Sequence, residues 1–522
     1  MPIDPEAIAR YLDKPLPKLP RFKGADPQKL HDLIYRVTGA HLKPKIPTLK
    51  AIQLEGIAFA LYLRNALMLY DMRLGKTGLS ITWAEHLRRC NFWRPGKKGL
   101  IIAHAPLGLS IWEEQIPMFS DLTARYVQSS QDEFLDALTS DCDFIVVPWT
   151  GLQEIFGMRK LNQKGVVKMY PNRAACKIAA EFFSLVIMDE IHRVKNPANL
   201  WFQIIEALTP NCKFRMGLTG TPVGRNPFAL WAEAYLIDRG EALGYRYNFF
   251  KQIFGKEVKS RFSPYPQWVF DKEKMLLLQQ RVDTLALSYT RDEVRKMQVI
   301  AKRVKVPMSR LQEKAYNEAV DTMQRYHRGD DVKLENAFTR TRQIASGWVP
   351  FIGPAGDAQI MTFPNSGKLQ WLREFLPCLP PKTQVVIFHE FTHSGQLICN
   401  LLQEMGITHR RIRGKQRHKN REYVRAFQTR RFNVLVANTA TGGTGIDLSG
   451  VSYMCFYESP VDPITRQQAE ARPLADSRGD RPLWMDDLIS APVERKILTF
   501  IREGKNLSKV IRGNVGDLKT LK

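Results

Sequence analysis

Gly75, Lys76 and Thr77 follow an apolar run, Ala66 to Tyr70, and precede a stretch with helical periodicity, Leu79 to Arg89. Strand, loop and helix in that order is the setting a phosphate-binding loop requires. Gly75 lets backbone N–H groups approach an anion at the helix N-terminus, the Lys76 ammonium neutralises β- and γ-phosphates, and the Thr77 hydroxyl is a ligand for Mg²⁺. A second run, Leu185 to Met188, delivers Asp189 and Glu190, followed by Ile191 and His192. One carboxylate of such a pair holds Mg²⁺ through water while the next polarises the attacking water. A bare Gly-Lys-Thr arises by chance in many proteins, and an Asp-Glu pair after a strand is usually a solvated loop. Together they predict a site that binds and hydrolyses ATP.

The elements that must position these groups are short apolar runs separated by helix-period segments. Besides the two already named they are Leu100 to Ala103, Phe144 to Val147 and Phe214 to Leu218, then, after a gap, Val385 to Phe388, Val434 to Ala437 and Tyr453 to Tyr457. Runs apolar on both faces are the pattern of buried parallel strands, and in an open parallel sheet the ligand lies beyond their carboxyl ends. The fold class expected is α/β, with two RecA-like parallel-sheet lobes and helical insertions between them. The boundaries expected are an N-terminal extension 1–47, a first lobe 48–224, insertions and linker 225–365, a second lobe 366–490 and a C-terminal helix and tail 491–522. Aromatic residues crowd 225–300, among them Phe249, Phe250, Phe254, Trp268 and Phe270, and read as core rather than as base-stacking platforms. Ser309 to Arg328 reads as an amphipathic helix.

Composition limits the classes further. The 522 residues carry 77 Lys and Arg against 52 Asp and Glu, a formal charge of +25, which favours a polyanionic partner over a neutral one. Basic residues are spread along the chain, with a denser stretch from Arg410 to Arg421, so a distributed groove is expected rather than one basic tail. The seven cysteines are scattered and never form a Cys-x-x-Cys pair, which argues against a disulfide framework and a zinc site. The N-terminal stretch is broken by prolines and lacks an apolar core, and the most apolar segment, Gly56 to Tyr70, is interrupted by Arg64 and Asn65. Neither a signal peptide nor a membrane span is expected, and a reducing compartment follows.

With these residues in view, the sequence resembles the Swi/Snf-type ATPases of helicase superfamily two over roughly residues 48 to 512. YDMRLGKT (70–77) is similar to motif I of that family, LIIAHAPLGLSIWEEQI (100–116) to motif Ia, VIMDEIHRVKN (186–196) to motif II and LTGTP (218–222), with Asn226 and Trp231 following, to motif III. YTRDEV (289–294), LQEKAY (311–316) and TRQIASG (341–347) resemble its linker signatures. SGKL (366–369), VVIFHEFT (385–392) and RRIRGKQ (410–416) precede TATGGTGIDL (439–448), which resembles motif V, and FYESPVDPITRQQAEAR (456–472) resembles motifs Va and VI.

The resemblance implies that Gln53 reads adenine, that Gly445 and Asp447 lie in a glycine turn where the lobes meet, and that Arg472 reaches the γ-phosphate on lobe closure. Three positions depart from the family. Arg73 stands where glycine is frequent, Val461 where tryptophan is usual, and Ala475 where a second arginine belongs. Arg478 and Arg481 are displaced candidates for that arginine, Arg478 the one expected to occupy its place; the alternative is that Arg472 acts alone.

The activity implied is an ATP-dependent translocase on duplex DNA, with single-stranded or branched DNA as other tracks, in a compact monomer of bacterial or phage type. It would be cytoplasmic there, or nuclear in a eukaryote. A strand-separating DNA or RNA helicase is the alternative enzyme, and a nucleic-acid-binding module with a degenerate ATP site the alternative class.

Overall fold

The computed structural model describes residues 5–104, 107–161, 167–220, 227–258, 267–296, 298–326, 331–354, 356–413, 417–442, 448–474, 478–479 and 481–503. The chain divides into two units, Met1–Arg295 and Lys296–Lys522.

The first unit is built on a parallel sheet whose described strands are β1 (Asn65–Tyr70), β2 (Lys98–Ala103), β3 (Ala124–Tyr126), β4 (Phe144–Pro148), β7 (Phe183–Asp189), β8 (Phe214–Thr219) and β11 (Ala286–Tyr289). Their order is β11-β1-β8-β7-β2-β4-β3. The central strands are apolar on both faces because helices cover both, and the side chains divide into two cores, one on each face. The expected aromatics of 249–270 lie in or against one of these cores: Phe250 and Phe254 are fully buried, and Phe249, Trp268 and Phe270 pack on it. Two antiparallel hairpins stand outside the sheet, β5 (Gly157–Leu161) with β6 (Val167–Pro171) and β9 (Gly255–Val258) with β10 (Gln267–Phe270).

The second unit holds a parallel sheet of β12 (Val299–Lys305), β15 (Val385–His389), β16 (His409–Ile412), β17 (Val434–Asn438), β18 (Tyr453–Phe456) and β19 (Leu483–Ile489), in the order β12-β19-β18-β15-β17-β16. A helix at Arg310–Tyr326, close to the span expected, pairs with the helix Asp331–Ala345, which in turn packs on the hairpin of β13 (Trp348–Ile352) and β14 (Ala358–Thr362).

The fold class agrees with the expectation, but the extent of the insertions does not. Residues 225–365 are not all insertion: β11 returns to pair with β1, Leu67 opposite Ala286, so the first unit runs to Arg295. Likewise β12 pairs with β19 over seven residues, so the second sheet begins at Val299. The N-terminal extension is part of the first unit as well. Tyr11 lies under the Arg281 guanidinium, 3.9 Å from its ring centroid, and Lys23 donates to Ser288 O at 3.1 Å.

Candidate active site in the first unit

The phosphate loop forms because β1 ends buried at Tyr70 and the next helix, Lys76–Arg89, follows after a short loop. Gly75 is the N-cap with φ +81°, a left-handed conformation glycine adopts without strain. Arg73 adopts φ +70° in the same loop, which gives a backbone reason for the family's glycine there. Lys76 is buried, and its ammonium donates to Tyr70 O at 2.7 Å and Asp71 O at 3.1 Å. The loop lies against the end of β8. A Cβ on Gly220 would sit 2.9 Å from Met72 Cγ, 3.2 Å from Met72 N and 3.4 Å from Lys76 Nζ, so any side chain there would crowd the loop.

Gln53 packs on the same loop from the helix Ala51–Leu63. Its Nε2 donates to Gly75 O at 3.1 Å while its Oε1 accepts from Lys50 N at 3.1 Å.

In register with β8, β7 carries Asp189 to the sheet edge, opposite Leu218. Two buried indoles fix it: Trp149 donates to Asp189 O at 2.8 Å and Trp112 to Asp189 Oδ2 at 3.4 Å. Glu190 follows with φ +55°, a strained turn that redirects its side chain. His192 Nδ1 lies 3.2 Å from Glu190 Oε2 and 2.9 Å from Thr219 Oγ1, tying the carboxylate pair to the end of β8.

Burial and the neighbouring Glu190 charge push the Asp189 carboxyl up, against the Lys76 charge and the Trp112 hydrogen bond. Burial also acts to raise Glu190, but its hydrogen bond and charge interaction with His192, with help from Lys76 and His104, outweighs it and holds that carboxyl down. The two adjacent carboxyls are thus pushed in opposite directions, Asp189 up and Glu190 down. Behind His192, on the helix Ala229–Asp238, the buried Glu233 carboxyl is pushed up to about 7 by burial, with His192 opposing.

Lys76, Gly75, Gln53, Asp189 and Glu190 are therefore gathered at one edge of the first sheet, with half-buried Thr77 in the first turn of the loop's helix. Gly445 and Asp447, like Thr221, Pro222, Asn226 and Ala475, lie outside the described residues. Arg472 is in the second unit, the half-buried C-cap of the helix Pro463–Ala471.

Arg478, the displaced candidate, is a buried residue of the second unit. Its Nε donates to Arg481 O at 2.9 Å, its Nη2 to Pro482 O at 2.5 Å and its Nη1 to Val451 O, and it is 3% exposed. Three backbone carbonyls hold the guanidinium at the entry to β19.

Trp112, Trp149, Thr219 and Glu233 were not singled out from the sequence. The two tryptophans had a signal. Trp149 directly follows a strand end, Trp112 lies within the motif Ia-like stretch, and a buried indole N–H needs an acceptor.

A buried loop lysine and two half-buried carboxyls at the carboxyl edge of a parallel sheet, on one of two RecA-like units, are the features of the helicase-like ATPase class. A family model described as SNF2-related domain matches residues 52–348, and one described as helicase conserved C-terminal domain matches residues 367–474. The chain belongs to the SNF2-related family.

Among its relatives, the CHD3-type chromatin-remodeling factor CHR7 of Arabidopsis thaliana is 24% identical over 446 residues, 81% of this chain and 34% of that protein. The chromodomain-helicase-DNA-binding protein 1-like of Mus musculus is 24% identical over 448 residues, 81% of this chain and 45% of that protein. The chain thus spans less than half the length of these relatives. A solved structure, the Sulfolobus solfataricus SWI2/SNF2 ATPase core in complex with dsDNA, is 20% identical, covering 91% of this chain and 97% of that one with a TM-score of 0.39. No described helix is long and apolar enough to cross a membrane.

Proposed function

We propose that this protein is a DNA-stimulated ATPase that tracks along duplex DNA, displacing bound proteins or remodelling the DNA. The observation that carries the reading is the meeting of Lys76 with Asp189 and Glu190, its charge acting on both carboxyls. In this arrangement Lys76 and the loop N–H groups bind the phosphates, Gln53 contacts adenine and Glu190 orients and polarises the attacking water.

The donor set fits Mg²⁺: Thr77 and Asp189 offer hard oxygen ligands, and a carboxyl raised by desolvation and by its neighbouring Glu190 charge is one that a divalent cation stabilises. Bound there, Mg²⁺ supplies charge neutralisation of the phosphates. Arg472 is the arginine assigned to the γ-phosphate. The +25 charge supports a nucleic-acid track, and kinship with a chromodomain-helicase-DNA-binding protein supports DNA as that track.

ATP turnover measured without nucleic acid and with duplex DNA, single-stranded DNA and RNA tests this. Duplex should stimulate most, Lys76→Ala should abolish turnover, and Glu190→Gln should bind ATP yet lose about a hundredfold or more in rate. Stimulation by RNA alone, or wild-type turnover in either variant, would refute it.

A further inference from the structure

The hairpin β5–β6 leaves the first unit between the helices Trp149–Phe156 and Arg173–Ala180. Its root is fixed: Asn172 N donates to Phe156 O at 2.7 Å, and Phe156 and Cys176 on either side are buried in the core. None of its described residues belongs to either core of the unit.

The register places Lys160 directly opposite Lys168 and Leu161 directly opposite Val167. Opposed residues share a face, so the two lysines project together, with Met158 and Tyr170 next to them on that face. Leu161 is 71% exposed and Val167 60%. From residue 155 to 180 the chain carries Arg159, Lys160, Lys164, Lys168, Arg173 and Lys177 and no carboxylate. No described carboxylate forms an ion pair with Arg159, Lys160 or Lys168.

A two-stranded ribbon is marginal on its own, and like charges directly opposite each other weaken it further. The outer part of this hairpin, where Lys160 and Lys168 are exposed, therefore gains little from its own pairing or from the core. An external anion removes the penalty, and a phosphate backbone, with a charge about every 3.4 Å of axis along each strand, presents several anions to two flexible lysines at once.

We infer that the Lys160/Lys168 face of the β5–β6 hairpin is an auxiliary contact for the phosphate backbone of duplex DNA, separate from the ATP site. The inference rests on the duplex-tracking function proposed above and adds to it a second grip within the first unit. The contact is electrostatic and sequence-independent, so it lengthens the bound state without selecting a site.

Binding of the full chain to a short blunt duplex, followed by fluorescence anisotropy over a range of salt concentrations, tests it. Each phosphate contact contributes about 0.9 to the slope of log affinity against log salt. Lys160→Gln with Lys168→Gln should reduce the slope by about 2. Both side chains are exposed, and the double change removes a repulsion, so folding is spared. Lys14→Gln with Lys18→Gln, two exposed lysines elsewhere in the unit, should leave the slope as it was. A hairpin variant with the wild-type slope, a control pair that loses as much, or a loss seen only in a parallel titration with single-stranded RNA overturns the inference while leaving the ATPase reading standing. A wild-type chain that binds duplex without salt dependence instead refutes the duplex-tracking function itself.

Discussion

Asp71 and Arg291 are 220 residues apart in sequence, yet the Arg291 backbone N–H donates to Asp71 Oδ2 at 2.8 Å. Asp71 N returns a bond to Tyr289 O at 2.9 Å, and Asp71 O accepts from Lys76 at 3.1 Å. One residue of the phosphate loop thereby holds both the loop lysine and the segment leaving β11, just before the first unit ends at Arg295. Asp71→Ala removes a hydrogen bond to a charged acceptor, worth about 1.5–3 kcal/mol. It should lower the stability of the first unit by that order and raise the KM for ATP severalfold, while Asp71→Asn, which keeps an acceptor, restores most of both. Denaturant unfolding and steady-state kinetics read the two effects, and an alanine variant unchanged in both would remove Asp71 from this role.

Arg73 separates backbone from side chain in the same loop. An L-residue in the left-handed region costs about 1–2 kcal/mol, and Arg73 sits there with φ +70°. Arg73→Gly should therefore raise the melting temperature, and Arg73→Ala should not, because alanine keeps the strain. Should the glycine variant melt below the alanine variant, the loop does not hold this conformation in solution.

The strands legible in the sequence are those apolar on both faces, which is why β1, β2, β4, β7, β8, β15, β17 and β18 could be read as runs. Those that escaped had their apolar signal replaced. β19 carries Asp486 and Asp487 inside the sheet, hidden because Tyr453 donates to Asp486 and Arg466 pairs with Asp487. β12 is an edge strand with Lys302, Arg303 and Lys305, charges that protect an open edge and read as loop. Missing β11 and β12 moved the expected boundaries.

At the site, Asp189 and Glu190 were legible because they directly follow a buried run, and Lys76 because a short loop joins its run to the next helix. The ties of Asp189 to Trp149 and of His192 to Thr219 were not, since pairing across strands brings together residues 40 and 27 positions apart.

A buried histidine gives the second unit a pH dependence. His389 is 1% exposed, and its Nδ1 donates to Phe391 O at 2.9 Å. Burial lowers it from 6.5 to about 4, with Arg411 adding to the shift and Glu458 and the Phe391 carbonyl opposing it. The folded chain thus binds this proton less readily than the unfolded chain. Its contribution to stability is full above the unfolded value of 6.5 and is lost as the pH falls from there through about 4. Urea unfolding at about pH 7.5 and about pH 5 should show a larger loss in wild type than in His389→Gln. Equal losses would mean that the ring is solvated.

The arginine of the second unit is the remaining part of the proposed chemistry. A loose phosphoryl transition state spreads charge over the γ-phosphoryl oxygens, and an arginine that meets it is worth about a thousandfold or more in rate. Two candidates stand in the sequence, and what surrounds Arg478 weighs against it. Its guanidinium is held by Arg481 O, Val451 O and Pro482 O, and burial lowers its pKa to about 10, with Arg481 adding to the shift. Moving it to a nucleotide would leave three carbonyls to be satisfied again, a cost of about 1–3 kcal/mol each. Arg472 keeps the family position, half-buried at the C-terminal end of its helix. Arg472→Ala should therefore lose turnover by about a thousandfold with its melting temperature nearly kept. Arg478→Ala should do the reverse, melting earlier because the turn before β19 is released, yet hydrolysing ATP at a near-normal rate per folded molecule. Both variants, assayed side by side at saturating ATP and duplex DNA with the folded fraction measured by circular dichroism, decide the assignment: a stable Arg478→Ala protein that fails to hydrolyse would return the finger to Arg478.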